Sequence, residues 1–376
     1  MFVENRLRHL LADTDIEAQV MAPVPWFPFG HSVFGRYGEY AKVPAREVRH
    51  GIIVHHPRFL VVPKVGMRLN PWFLARAAAR KLRALQQSGF DPDLIDAHYL
   101  YPDGVAAAML GRAFDKPVVM TARGSDVTEI GRLPVFRGKI LQAAESSSHI
   151  ITVSNSLRQE LAEMGVRTPI TTLRNGVDAD RFHILPDVSA KPHGIDDFHL
   201  VFAGWLIPRK RPDLVLKAAG QIPGARVTMV GEGPELPSLK VLAQSLGISS
   251  RVTFLGQQPP EAMPGLLGRA DVLMLPSERE GWANVLLEAM ACGTPVVSNA
   301  VAGALDLVTV PEAGRLVYSQ TPEAYATAIK DVIYNHAGRR SVRAYAQQFG
   351  WREVSLAQQA IFEKAVEEFK KGQAVG

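Results

Sequence analysis

The chain has one cysteine in 376 residues, Cys292. A single thiol excludes an internal disulfide framework and fits a reducing compartment. Long hydrophobic runs are also missing. No apolar stretch approaches the roughly 18 residues that a spanning helix needs, and no signal-peptide pattern opens the chain, so the expectation is a cytoplasmic protein. Zinc spacings, RNA-binding signatures and long basic runs do not occur, which argues against a nucleic-acid partner. No Ser-His-Asp order or covalent nucleophile is evident, and no D-x-D pair is placed to hold a metal. Neither a metal nor an organic cofactor is expected.

What is present is 47% hydrophobic residues with 31 glycines and 26 prolines, enough for two cores punctuated by many short elements. The net charge of +5 is uneven. Up to Arg174 there are 22 Lys and Arg against 16 Asp and Glu, and from Asn175 onward 20 against 21. A basic first half could face anionic lipid or a phosphorylated acceptor.

The most informative stretch runs from Asp271 to Ser298, DVLMLPSEREGWANVLLEAMACGTPVVS. Val272 to Leu275 reads as a buried strand closed by Pro276. A polar loop follows, with Asn284 as N-cap of a helix from Val285 to Ala291. Cys292-Gly293 stops that helix, and Val296-Val297 begin the next strand. Two carboxylates, Glu280 and Glu288, bracket the loop-to-helix transition. Backbone N–H groups at a helix start can hold a diphosphate, while ionised carboxylates accept hydrogen bonds from sugar hydroxyls.

This stretch resembles the signature of family 4 glycosyltransferases, retaining nucleotide-sugar enzymes of the GT-B fold. In that fold, two Rossmann-like doubly wound α/β domains face each other across a cleft. Glu280 and Glu288 match the family's E-x7-E pattern. The resemblance implies the donor sugar for Glu280 and the nucleotide ribose for Glu288, with Gly281, Trp282, Ala283 and Asn284 on the donor side between them. GWLIPRKRP is similar to the family's G-R-L-x-P-x-K-G. Gly204, Leu206, Pro208 and Lys210 match, whereas Trp205 replaces the usual arginine and Arg211 the usual glycine. The resemblance gives Lys210 to the donor diphosphate, with Arg209 or Arg211 supplying charge that Trp205 lacks. Gly231-Glu232-Gly233 resembles the turn that borders the nucleotide. As a dinucleotide fingerprint it is incomplete, because Leu236 stands where the third glycine is needed.

The first half opens with a helix carrying Val3, Leu7, Leu10 and Leu11 on one face, then a strand over Ile16 to Ala22. Relatives carry a strand and glycine loop ahead of such a helix, so this start looks shortened. Pro23 to Pro71 reads as a long acceptor-side insertion. Its Trp26, Phe27, Phe29, Trp72 and Phe73, beside Arg36, Lys42, Arg46 and Arg49, either seat the protein on an anionic membrane surface or pack beneath the loop. A helix is expected from Asn70 to Gln87. A strand over Leu94 to Ala97 then places His98 at its carboxyl end, where open sheets carry ligand groups. Asp103-Gly104 begin the next helix. Val118 to Thr121 leads into Arg123-Gly124-Ser125-Asp126. Arg123 could contact phosphate or acceptor, and Asp126 could orient a hydroxyl or cap a helix. DAHYLYPDG and R-G-x-D look like the branch of the family that makes teichuronic-acid-type exopolysaccharides.

The expected domains are 1–182 on the acceptor side, a linker at 183–198, a nucleotide-sugar domain at 199–350, and a terminal helix at 351–376 returning to the first domain. The resemblance implies transfer of a sugar from a nucleotide diphosphate sugar to a glycan or lipid-linked glycan, with retention and without metal. The setting that the resemblance implies is cell-surface polysaccharide synthesis, in the cytoplasm or peripherally at the inner face of the plasma membrane. Lys210, Glu280, Arg123 and His98 are the candidate catalytic groups, with His98, Asp103, Arg123 and Asp126 on the acceptor side. A sugar-nucleotide epimerase, a nicotinamide enzyme and a non-catalytic binding protein are the alternatives.

Overall fold

The structure is a computed structural model describing residues 2–31, 33, 35–61, 66–188 and 196–375. It divides into two compact units, Met1–Arg174 with Arg352–Gly376, and Asn175–Trp351.

In the first unit, helix α1 (Phe2–Asp13) precedes strands β1 (Val20–Met21) and β2 (Val24–Pro25). After helix α2 (Arg36–Lys42) come β3 (Arg46–Arg49), β4 (Ile52–His55) and β5 (Arg58–Phe59). Of the expected strand over Ile16 to Ala22, only Val20–Met21 is strand. Pairing starts at Val20 and continues past two prolines, with β1 and β2 running parallel to β4 and β5. The donors are Ala22, Val24 and Trp26, bonding to His55, Pro57 and Phe59 carbonyls at 2.8, 3.1 and 2.7 Å. Pro23 and Pro25 fall at the alternate positions, where a missing N–H costs the ladder nothing.

Helix α3 (Gly66–Gln87) starts four residues before the expected Asn70 and contains Pro71. A proline there cannot donate to the Met67 carbonyl one turn back. The Tyr101 hydroxyl donates to that carbonyl instead. Strands β6 (Ile95–His98), β7 (Val118–Ala122), β8 (His149–Thr152) and β9 (Ile170–Thr172) form a parallel sheet in that order, with α4 (Val105–Phe114) between β6 and β7. One core joins Leu74, Ala75 and Ala78 of α3 to Ala106 and Leu110 of α4, with Met21, Phe59 and Ile95 against them. A second joins Val119 and Ile151 to Ala365, Ile361 and Phe362 of the terminal helix Trp351–Val375.

The second unit holds a six-stranded parallel sheet of β10 (Phe198–Ala203), β11 (Ala225–Val230), β12 (Val252–Gly256), β13 (Val272–Leu275), β14 (Val296–Asn299) and β15 (Gly314–Val317). Its order is β12-β11-β10-β13-β14-β15. The chain winds outward from β10 to β12, returns to lie beside β10, and winds out the other way. Central strands that must be covered on both faces need to be apolar throughout. Phe198, Leu200, Val201, Phe202 and all of Val272–Leu275 are fully buried.

The division at Arg174/Asn175 lies ahead of the expected limit at 182. Arg343 bonds to the Phe182 and Ala179 carbonyls at 2.6 and 2.8 Å, and Ile184 packs on Gly293, so this segment already belongs to the second unit. Of the expected linker, residues 189–195 lie outside the described residues. No helix among the described residues is long and apolar enough to cross a membrane.

Candidate functional site

In an open parallel sheet, the loops leaving neighbouring strands diverge where the strand order reverses, and ligands bind in that crevice at the carboxyl ends. Here the reversal lies between β10 and β13. The loop after β10 is held backbone to backbone against the loop after β11, with Leu206 donating to the Glu232 carbonyl at 2.8 Å. A Cβ at Gly231 would stand 1.9 Å from the Gly204 carbonyl oxygen, and one at Gly233 would stand 2.2 Å from that of Leu206. Only glycine permits this approach. The β10 loop also meets the loop after β13. The Glu278 N–H donates to the Arg209 carbonyl at 2.9 Å, Arg209 to the Arg279 carbonyl at 3.0 Å, and Lys210 Nζ reaches Glu280 Oε1 at 2.5 Å. The Lys210 and Glu280 side chains are only 17% and 10% exposed. Arg211 has φ +48°, the left-handed region that suits glycine. Its guanidinium is held by Asp213 at 3.0 Å. Gly204, Arg209, Lys210, Gly231, Glu232, Gly233 and Glu280 therefore converge.

The rest of the motif is placed differently. Asn284 is not the N-cap. The helix is Asn284–Ala291, its cap position is Ala283 without a side-chain cap bond, and Asn284 Oδ1 accepts from Asn175 Nδ2 at 3.0 Å. The tertiary partner has taken the side chain that a local cap would use. Trp282 is buried, its ring 6.4 Å from that of Phe349, and Gly303 packs against Gly281 and Trp282 with no room for a side chain. These residues shape the loop by packing. Glu288 is partly buried on the second helical turn, and burial pushes its carboxyl up to about 7 against the pull of Arg181. The helix stop is as expected. Gly293 is left-handed, and the Gly293 and Thr294 N–H groups donate to Met290 and Ala289.

In the first unit, His98 ends β6 and Arg123 follows the neighbouring β7. Arg123 Nη2 donates to His98 Nδ1 at 2.8 Å, because a guanidinium cannot accept. The ring proton then sits on Nε2, 3.3 Å from Asp96 Oδ2. Burial lowers the His98 pKa below its ordinary value, Asp96 opposes this, and Arg123 and Arg6 reinforce it. Asp126 is fully buried and accepts from the backbone N–H groups of Leu100, Arg123 and Gly124 at 2.8, 3.1 and 2.7 Å. It neither caps the following helix, whose cap position is Gly124, nor faces an open hydroxyl site; it fixes the turns after β6 and β7. Asp103 stands exposed on the turn 100–104.

Residues 188–349 match the family model described as glycosyl transferases group 1, and residues 28–181 match that of glycosyltransferase family 4. The D-inositol 3-phosphate glycosyltransferase of Mycobacterium tuberculosis is 30% identical over 365 residues, 90% of this chain and 75% of that protein. The chain belongs to the group 1, family 4 glycosyltransferases. The corresponding protein of Mycolicibacterium smegmatis is 29% identical over 366 residues, covering 90% of this glycosyltransferase and 82% of its own length. Among solved structures, Anabaena HepE in complex with UDP has a TM-score of 0.69 at 22% identity, covering 84% of this chain and 87% of that one. Sucrose-phosphate synthase of Thermosynechococcus elongatus has a TM-score of 0.67 at 20% identity, covering 89% and 87%. The two Rossmann-like units of this glycosyltransferase are those of the GT-B fold.

One residue near His98 in this glycosyltransferase escaped the sequence reading. Arg6 of α1 is 2% exposed; its Nε donates to Gln358 at 2.6 Å and its Nη1 to the Leu173 carbonyl at 3.2 Å. Gln358, on the terminal helix, lies 3.4 Å from Asp96. Burial, reinforced by Arg123, pushes the Arg6 guanidinium down to about 9. Against burial, His98, Arg6 and Arg123 hold the Asp96 carboxyl below its ordinary value. Arg6 lies within the apolar stripe of Val3, Leu7 and Leu10, and Val3 is the exposed member. A cation inside such a stripe was the available signal.

Proposed function

We propose that this glycosyltransferase moves a hexosyl group from a nucleoside diphosphate sugar to a glycan or lipid-linked glycan acceptor, with retention and without a metal ion, in cell-surface polysaccharide synthesis. The reading is carried by the contact of Lys210 with Glu280 at the strand-order reversal. Lys210 has three N–H donors and spends one on Glu280, leaving two for a diphosphate, while the second oxygen of Glu280 can accept from a sugar hydroxyl. The turn at Gly231 and Gly233 would border the nucleotide, and Glu288 would accept from ribose hydroxyls. His98 and Arg123 are assigned to the acceptor.

In the transfer, the acceptor hydroxyl attacks the anomeric carbon on the face that the diphosphate leaves. The anomeric C–O bond to phosphate breaks with its electron pair on the phosphate oxygen, which takes the hydroxyl proton. Lys210 stabilises the charge that develops there. HepE binds UDP-glucose in the crystal, so UDP-glucose is the first donor to test. The names of the relatives, together with the basic first unit, favour a phosphorylated polyol as a second acceptor reading.

Calorimetry and thermal shift with UDP-glucose, ADP-glucose and GDP-mannose test the donor. A donor at 100 times its Kd should add about 2.7 kcal/mol of stability. Lys210→Ala should lower kcat/KM for transfer by about 2 to 4 kcal/mol in transition-state terms. Affinity for no sugar nucleotide would overturn the reading. Isomerisation of donor alone would make the protein an epimerase, and an inverted product anomer would remove retention.

A further inference from the structure

We propose that the first unit docks on an anionic lipid surface through the outer face of α3 and the adjoining carboxyl ends of β2 and β5. This deepens the lipid-linked acceptor reading and rests on it for purpose, not for its physical case. Helix α3 carries five cations, Arg68, Arg76, Arg80, Lys81 and Arg83, and no acid. Among the described residues, none of the five takes part in an ion pair. Arg76 and Arg80, one turn apart, repel each other. Such a helix lacks a counter-charge of its own.

The buried face of α3 is Leu74, Ala75, Ala78, Leu82 and Leu85. Its outer stripe, at helical spacing, is Leu69, Trp72, Arg76 and Arg80, with Leu69 44% and Trp72 49% exposed. Arg76 lies 5.7 Å over the Trp72 ring. Trp26 and Leu60, 54% and 53% exposed, directly follow the parallel strands β2 and β5. Helix α3 then runs back. Pro57 and Arg58, near the start of β5, share a shallow cavity of about 340 Å³ with Ala77, Arg80, Lys81 and Ala84, late in the helix. The first turns of α3 therefore lie at the same end as Trp26 and Leu60. Indoles and aliphatic side chains sit at that end, and cations extend down the helix beside them.

Charge complementarity selects the partner. Residues 26–81 contain ten Lys and Arg against two Asp and Glu, an excess larger than that of the whole chain. Both acids are engaged within the segment, Glu39 with Lys42 at 2.7 Å and Glu47 with His56 at 3.0 Å. Tryptophan at the headgroup level, aliphatic chains among acyl groups and arginine on phosphates together match an anionic bilayer. A nucleic acid would use the cations but leave Leu60 and Leu69 without a partner.

The test is flotation of the full chain with vesicles of phosphatidylcholine, with and without about one-third phosphatidylglycerol. The expectation is about tenfold or stronger partition onto the anionic vesicles, weakening with salt. The double variant Trp26→Ser/Trp72→Ser should lose about tenfold on anionic vesicles, and Arg76→Ser/Arg80→Ser should abolish the anionic preference. Tyr318→Ser, in the second unit and 79% exposed in the native protein, should change nothing. Equal partition onto both vesicles, or unchanged partition of both double variants, overturns the proposal. Self-association lost in the tryptophan double variant while vesicles stay unbound would assign the face to a second copy and also overturn it. Donor calorimetry on the same samples keeps the two readings separate, because vesicle binding can fail while UDP-glucose binds, and the reverse.

Discussion

In the second unit six strands make one continuous sheet, and the candidate site is built by glycine turns whose backbones touch. In the first unit the strands fall into three ladders, β1-β4-β3, β2-β5 and β6-β7-β8-β9, and the candidate groups are held by buried charge. Asp126 grips three backbone amides, and Arg6, Gln358, Asp96, His98 and Arg123 form one polar chain. The difference lies in what each site tolerates. The backbone-to-backbone turns themselves carry no titrating group but have no room for a methyl group. A site held by buried ionisable groups is instead costly to break by removing any one charge.

The largest break in this contrast should come from Gly231→Ala, which drives a Cβ to 1.9 Å from the Gly204 carbonyl. We expect a loss of about 4 kcal/mol in urea unfolding. A loss under about 1 kcal/mol would show that the glycine turns yield. In the first unit Asp126→Ala strands three buried N–H groups and should cost about 3 kcal/mol, whereas Asp126→Asn should recover part of this. Equal losses for Ala and Asn would mean that the carboxylate charge itself is what the turn needs.

Glu288 gives the second unit a pH dependence of its own. Its folded-state pKa of about 7 lies above the ordinary glutamate value of 4.5, so the folded protein holds the proton more tightly. Stability from this group is full below the unfolded value and falls as pH rises through 7. Over that window wild type should lose on the order of 2 kcal/mol relative to Glu288→Gln, as read by thermal melts at pH 5 and pH 8. On the proposed ribose role of Glu288, donor affinity should move the other way, because an ionised carboxylate accepts hydroxyl protons more strongly than a neutral one. The smallest effect is a gain. Gly138 is exposed inside the helix Pro134–Glu145, with nothing within 4 Å of an added Cβ. Gly138→Ala should therefore stabilise by about 0.5 to 1 kcal/mol, measured as a rise in Tm.

The second unit was the more legible in sequence for the same reason. Buried parallel strands read as unbroken apolar runs, as at Val272–Leu275, and the turns at Gly231, Gly233 and Gly293 carry the residue their geometry demands. The failures there came from tertiary partners, as when Asn175 takes the side chain of Asn284. In the first unit the strands are two to five residues long, and prolines lie inside a ladder and a helix. Local pattern is weak in such pieces. Whether Arg6 points to solvent or into the core depends on Gln358, a residue 352 positions away.

The chain passes between the units twice, at 174/175 and at 351/352. The two crossings start from one place, since Val177 bridges to Gly350 and Gly176 presses on Trp351 too closely for a side chain. The second unit is therefore a loop inserted into the first, with its ends already side by side. Such a module could be exchanged between relatives as a cassette, while the first unit keeps both of its own segments.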